Sequence, residues 1–204
     1  MQLVEYTAAA RLLNSYGIKS VDSRYVRSAD DAIRFSGGKK IALKAISSKA
    51  LHKTKAGLIK LNLLEGEEIS TAFADLERRA RKFRPYKILA QKMSAPGIEI
   101  IIGGREDRQF GRMLLLGLGG IYVETFKDFA LRVCPITRFD AKEMIAQLKS
   151  RSVVTYSGKS EKMLEELLLR ASRLISESKL SELDLNPVII REDGYEVVDI
   201  RILR

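Results

Sequence analysis

Glu182, Asp184 and Asn186 alternate with Leu183 and Leu185 along one segment, and Asp199 follows in a second apolar segment running from Tyr195 to Arg201. Alternation at period two places the three polar groups on one face of a strand. Arg191-Glu192-Asp193-Gly194 joins the segments and reads as a tight turn. If those residues form a four-residue turn, positions equidistant from it pair, and Asn186 lies directly opposite Asp199. Opposed side chains share a face, with Cβ atoms roughly 4.5–5.5 Å apart. An amide oxygen and a carboxylate at that separation can hold one hard cation, and Mg2+ suits such a site because it fills its other positions with water and substrate phosphate. A solvent-facing strand surface accounts for the same alternation without a metal. Pro187 marks an edge or a kink here.

Three other places could carry chemistry. Lys44 lies near the end of the apolar run Lys40–Ile46, where an ammonium needs an anion or a path to water. Gly117-Leu118-Gly119-Gly120 follows an apolar strand, and glycine lets backbone N–H groups come close to phosphate, although a lone Gly-x-Gly-Gly can be only a tight turn. His52, the one histidine, lies in the polar, aperiodic stretch 47–57, followed closely by Lys53 and Lys55. A neutral imidazole flanked by cations is a competent phosphoryl acceptor near pH 7. A stretch of that length without a period reads as a long loop that is mobile or functional.

The elements that must position these groups alternate in type, which makes this an α+β (α/β) chain. Helical spacing covers 3–15, 29–35, 67–83, 140–149 and, most strongly, 160–178. Strand patterns cover 21–26, 40–46, 58–63, 86–93, 98–103, 112–117, 129–134, 182–190 and 195–202. Ser94-Ala95-Pro96-Gly97 reads as a linker, so two lobes are expected, 1–92 and 93–204, the first carrying the His52 loop and the second the hairpin. With 204 residues, 30% of them charged, the chain can bury a sizeable core. No apolar run reaches the roughly 18–20 residues of a membrane helix, the N-terminal residues lack the pattern of a signal peptide, and Cys134 is the single cysteine. These features point to a cytoplasmic protein with no membrane association. The net charge of +10 provides a surface for anions, but with no zinc spacing, basic-aromatic stripe or RNA-binding motif a nucleic-acid partner is not expected.

These motifs together resemble a known family. "ELDLNPV" followed by "VVDIRIL", "IALKAISSKALHKTKAG", "GIEIIIGGREDRQFG" and "LGLGGIYVETFKDFALR" stand in the order found in ATP-grasp acyl-CoA synthetases, above all the β-type subunit of archaeal ADP-forming acetyl-CoA synthetase, a relative of succinyl-CoA synthetase. The resemblance implies an ATP-grasp fold with nucleotide between two lobes, ATP/ADP and Mg2+ as cofactors, and the reaction acyl-CoA + ADP + phosphate ⇌ acid + CoA + ATP. It implies an α-type CoA-binding subunit as partner, in an α2β2 heterotetramer, and an archaeal source. By motif match, Asn186 and Asp199 would hold Mg2+ and Lys44 would contact phosphate. Gln91, Lys92 and Met93 would meet adenine through their backbone, Glu99 would bind ribose, and Gly119 and Gly120 would approach phosphate, with Glu124 a further candidate. His52 would carry phosphoryl from the partner to ADP, and Arg132 would stabilise the transferring charge.

The match departs from the family in the His52 loop, where the usual His-Lys-Ser-Asp-x-Gly-Gly reads His52-Lys53-Thr54-Lys55-Ala56-Gly57-Leu58, and after the fourth helix, where Tyr-Arg-Gly reads Tyr156-Ser157-Gly158. These changes fit a second reading, a divergent ATP-grasp subunit that binds nucleotide or regulates a partner without turnover.

Overall fold

The structure, a computed structural model, describes residues 2–47, 49, 57–120 and 128–204. The chain forms two compact units, residues 21–94 and residues 1–20 with 95–204.

The smaller unit is an antiparallel sheet of four strands in the order β1 (Ser23–Val26), β4 (Lys87–Lys92), β2 (Ile41–Ile46), β3 (Ile59–Leu63). Helices α2 (Ala29–Ser36) and α3 (Gly66–Ala80) cover one face. Ser28 begins α2 by accepting the Asp31 N–H at 3.1 Å, and Gly37 ends it in the left-handed region at φ 51°, each a residue type suited to that terminus. The helix-side core gathers Val26, Ile41, Leu43, Ala45, Leu58, Ile69, Phe73, Leu76, Ile88 and Ala90. Strand parity therefore turns Ala42, Lys44, Leu89 and Gln91 to the other face.

The larger unit holds six strands in the order β10 (Ile200–Leu203), β8 (Glu182–Arg191), β5 (Ile98–Asp107), β6 (Gly111–Leu118), β7 (Phe129–Val133), with β9 (Gly194–Val197) also paired to β8. Helices α4 (Arg138–Gln147), α5 (Arg151–Val154) and α6 (Gly158–Glu177) accompany it. The face that α6 covers is marked by Gly104, where a Cβ would collide with the Ile175 side chain. Ile100, Ile102, Leu114, Leu116, Leu183 and Leu185 share that face and are fully or almost fully buried.

The first twenty residues correct the expected division at 92/93. Glu5 accepts the Ala8 N–H at 3.0 Å and starts α1 (Tyr6–Ser15) three residues later than the apolar spacing suggests. Residues 2–4 are extended instead: the Gln2 and Val4 N–H groups donate to Arg204 (2.7 Å) and Ile202 (2.9 Å) carbonyls. The chain's beginning is thus tied to its last strand, and α1, which follows it, packs on β10. Residues 1–20 fold with 95–204, not with 21–94.

Strand β7 also differs from a simple reading of its alternation. Phe129, Leu131 and Val133 are 50%, 41% and 51% exposed, whereas Ala130 is buried. The small residue, not the large ones, faces the helices.

Candidate functional site

The hairpin register sets Asn186 against Asp199. Val188 pairs with Val197, Ile189 with Glu196, Ile190 with Tyr195 and Arg191 with Gly194. The same register resumes beyond a break at 198–199, with Ile200 paired to Leu185, Arg201 to Asp184 and Leu203 to Glu182. Across the break the Asn186 N–H donates to the Asp199 carbonyl at 3.2 Å, and the Val198 N–H to the Pro187 carbonyl at 3.0 Å. The second segment is therefore two short strands rather than the single one the sequence suggests, but the opposition of Asn186 and Asp199 holds.

On its other edge β8 bulges against β5. Ile100 pairs with Val188 and Ile102 with Leu185, so Ile101 alone opposes both Asn186 and Pro187. A bulge re-aims side chains: Leu183 and Leu185 are buried before it, and Val188 and Ile190 after it, so the parity of the buried face reverses. Asn186 is left exposed at this point. The Asp199 carboxylate accepts the Ile200 N–H on one oxygen at 3.1 Å, which fixes its orientation.

An amide and a carboxylate carried by opposed residues of a hairpin are oxygen donors of the kind Mg2+ takes. Among the described residues no group of three His, Cys, Asp or Glu side chains could hold a metal. The hairpin thus offers too few ligands for an all-protein site and enough for an ion that keeps water and nucleotide oxygens.

Glu99 lies on the same face of β5, two residues from Ile101. Gly119 and Gly120 press against it. The Gly119 N–H donates to the Glu99 carbonyl at 2.7 Å, and a Cβ on Gly119 would stand 2.9 Å from the Glu99 carbonyl carbon and oxygen. Gly120 has φ +76°, and a Cβ there would meet a Glu99 carboxylate oxygen at 3.4 Å. Both glycines are required, one by close approach and one by its backbone angle. Glu99 and Asn186 are thereby placed on neighbouring strands of one sheet, with Gly119 and Gly120 just past the end of β6 and Asp199 in the break between β9 and β10.

Arg132 is not among them. It pairs with Leu114, which pairs with Gly104, so all three share the helix-bearing face. Its guanidinium donates to Gln147 Oε1 of α4 at 3.0 Å. The register thus does not bring Arg132 together with Glu99, Asn186 and Asp199. The open face instead carries Arg105 and Arg201, the latter bound to Glu182 at 3.1 Å.

In the smaller unit Lys44 and Gln91 are 4% and 1% exposed and are diagonal neighbours on the face away from the helix core, since Lys44 pairs with Leu89 and Ala42 with Gln91. Lys92 proves to be structural. Its ammonium donates to the Phe35 (2.5 Å) and Ser36 (2.6 Å) carbonyls and sits 4.8 Å from the centre of the Phe35 ring, a cation closing a helix C-terminus. The Lys92 and Met93 N–H groups donate to the Asp22 (2.9 Å) and Lys40 (3.0 Å) carbonyls. Adenine contacts at these two residues would have to use their carbonyl oxygens. His52, Lys53, Lys55 and Glu124 lie outside the described residues. Leu58, the leucine in place of a family glycine, is fully buried in the helix-side core, and its carbonyl accepts the Ala45 N–H at 2.9 Å.

Asp184, one of the alternating polar groups, has no role assigned to it by its sequence pattern. It faces the same way as Asp199, beside an open cavity of about 1020 Å³ whose lining includes Ile101, Gly103, Met113, Leu115 and Leu131. Burial pushes its carboxyl above the ordinary range; Arg201 opposes the shift, and the charges of Glu182 and Asp199 add to it. A raised folded-state value means the folded chain holds this proton more tightly than the unfolded chain. Stability is therefore greatest below the ordinary carboxyl range and falls as pH rises through the raised value. Asp184→Asn is expected to raise the melting temperature at pH 7 by about 2–4 °C and to lose that gain below about pH 4; thermal scans across pH check this.

The architecture and the paired oxygen donors define the class. The ATP-grasp domain family matches residues 2–203, and the chain belongs to that family. It is 35% identical, over 98% of its own length and 91% of the relative's, to the beta subunit of ADP-forming acetate–CoA ligase II of Pyrococcus furiosus. The dinucleotide-forming acetyl-coenzyme A synthetase 1 of Candidatus Korarchaeum cryptofilum, solved with coenzyme A, Ca-AMPCP and HgCl+, superposes with a TM-score of 0.91 at 34% identity, covering 99% of this chain and 93% of that one. A second structure of that enzyme holds coenzyme A and Mg-AMPPCP, with a phosphohistidine segment pointing towards the nucleotide binding site. It matches with a TM-score of 0.84 at 34% identity over 98% and 92% of the two chains. No described helix is long and apolar enough to cross a membrane.

Proposed function

We propose that this chain is the nucleotide-binding subunit of an ADP-forming acid–CoA ligase, catalysing acyl-CoA + ADP + phosphate ⇌ acid + CoA + ATP together with an α-type CoA-binding subunit. The observation that carries the reading is the opposition of Asn186 and Asp199 on the sheet that also bears Glu99. Asn186 and Asp199 would hold Mg2+, which would neutralise phosphate charge and orient the nucleotide. Glu99 is suited to accept hydrogen bonds from ribose hydroxyls, the Gly119-Gly120 turn to lie close to phosphate, and Lys44 to offset phosphate charge. The partner supplies phosphoryl as an acyl phosphate. His52 attacks it through a ring nitrogen as the P–O bond to the acid breaks, and the P–N bond then breaks as the ADP terminal oxygen takes the phosphoryl. An α2β2 assembly in the cytoplasm is the proposed working form.

The departure at Lys55 favours the second reading, nucleotide binding or regulation without turnover. Leu58 does not, because its side chain is packed in a core rather than offered to phosphate. Calorimetry on the purified chain tests the nucleotide site: Mg-ADP is expected to bind at least about 100-fold more tightly than ADP in chelator. Equal affinity with and without Mg2+ would remove the metal from the account.

A further inference from the structure

Asp128 is a buried carboxylate, 8% exposed, and no catalytic or binding role assigned above uses it. Both of its oxygens are bonded to backbone. One accepts the Lys149 N–H at 2.8 Å and the other the Ser150 N–H at 2.8 Å, at the junction between α4 and α5. Two adjacent amides are satisfied by one ionised group, and no neutral side chain of the same size can do this: an asparagine would offer one acceptor and turn N–H donors towards the second amide. Burial alone would raise the Asp128 carboxyl, but the hydrogen bonds from Ser150 and Lys149 outweigh it and hold the group below the ordinary range.

The Asp128 main chain grips the other side. Its carbonyl accepts the Leu118 N–H at 3.2 Å. A Cβ on Gly117 would come within 3.3 Å of that same oxygen, so the two backbones are in close contact. Leu118 leads directly into Gly119, whose N–H is bonded to the Glu99 carbonyl and whose Cα leaves no room against Glu99. The contacts form a chain from the α4–α5 junction through Asp128 to Leu118, Gly119 and Glu99.

We propose that Asp128 is a positioning residue of the nucleotide site: by locking onto Lys149 and Ser150 it holds Leu118, and through Leu118 it sets where the Gly119-Gly120 turn and Glu99 meet the nucleotide. This rests on the nucleotide-binding reading above. The residue touches no substrate; it acts by fixing backbone that does.

The test uses the full chain and two readouts, Mg-ADP affinity by calorimetry and amide hydrogen exchange at Leu118 and Gly119. Asp128→Ala is expected to weaken Mg-ADP binding about tenfold and to speed exchange at both amides by at least about tenfold. Asp128→Asn, the variant to read if the alanine form does not fold, changes both in the same direction. Asp140→Asn is the control. Asp140 accepts the Thr137 N–H at 2.8 Å and caps the far end of α4, so its loss lowers the melting temperature without moving either readout. Wild-type affinity together with wild-type exchange at Leu118 and Gly119 in the Asp128 variants overturns the proposal, as does an equal loss of affinity in Asp140→Asn. If the unsubstituted chain binds no Mg-ADP, the nucleotide reading falls, and the exchange rates at Leu118 and Gly119 still decide whether Asp128 positions the turn.

Discussion

Asp199→Ala is expected to weaken Mg-ADP binding by about 100-fold, about 2.7 kcal/mol, while leaving the affinity for ADP in chelator within about twofold. The variant removes the only charged ligand of the proposed pair, and Asn186 alone offers one neutral oxygen. The carboxylate has a second task, accepting the Ile200 N–H, so loss of the metal ligand must be separated from loss of local order. Asp199→Asn does this: its amide oxygen can still accept that bond, yet it carries no charge. It is expected to fold like the unsubstituted chain and to lose most of the Mg2+-dependent affinity. Asn186→Ala, which removes a neutral ligand, is expected to cost about tenfold. Calorimetry with and without Mg2+ reads all three, and unchanged Mg2+ dependence in Asp199→Ala would sink the metal assignment.

His52→Ala should produce the opposite pattern. With no imidazole to take phosphoryl, turnover in the presence of the partner is expected to fall by about 10⁴-fold or more, since loss of a nucleophile leaves only binding and electrostatic contributions. Mg-ADP affinity should stay within about twofold. A variant that keeps substantial turnover would show that phosphoryl reaches ADP without His52. The two substitutions thus separate holding the nucleotide from delivering phosphoryl to it.

The hairpin was legible because its register depends on one turn. Once Arg191 and Gly194 close the turn, every later pairing follows, and Asn186 must meet Asp199. The tight contacts of Glu99 with Gly119 and Gly120 were legible only as separate motifs, since nothing local in sequence says that residues twenty apart will touch. The facing of β7 is hidden in the sequence for a definable reason. The run Phe129-Ala130-Leu131-Arg132-Val133 alternates, and pattern alone turns its large apolar side chains inward. Here Ala130 and Arg132 face the helices, because Gly104 and Leu114 on the neighbouring strands face them too. Facing on an edge strand is set by its neighbours, which a linear pattern does not contain.

The helix at the N-terminus shows the same limit. Its apolar spacing was clear, but which unit it joins is decided by Gln2 and Val4 bonding to the last strand, contacts about two hundred residues apart in the chain. The Lys92 side chain is held by the end of α2, because the Phe35 and Ser36 carbonyls at a helix terminus need a donor, and this leaves its expected backbone contact untouched. Leu58 looked like a disturbance of the phosphate loop and is a core residue. In each case the residue type is legible and its partner is not, because partners are a property of the fold.

Reconstituted turnover bears most directly on the whole account. The chain is combined with an α-type CoA-binding subunit, and ATP formation from acetyl-CoA, ADP and phosphate is followed in the presence of Mg2+. ATP production is expected that requires both chains and all three substrates and that is lost in His52→Ala. Mg-ADP binding with no ATP formed by the assembled complex from acetyl-CoA or any other acyl-CoA supplied would contradict it and leave a nucleotide-binding subunit without turnover.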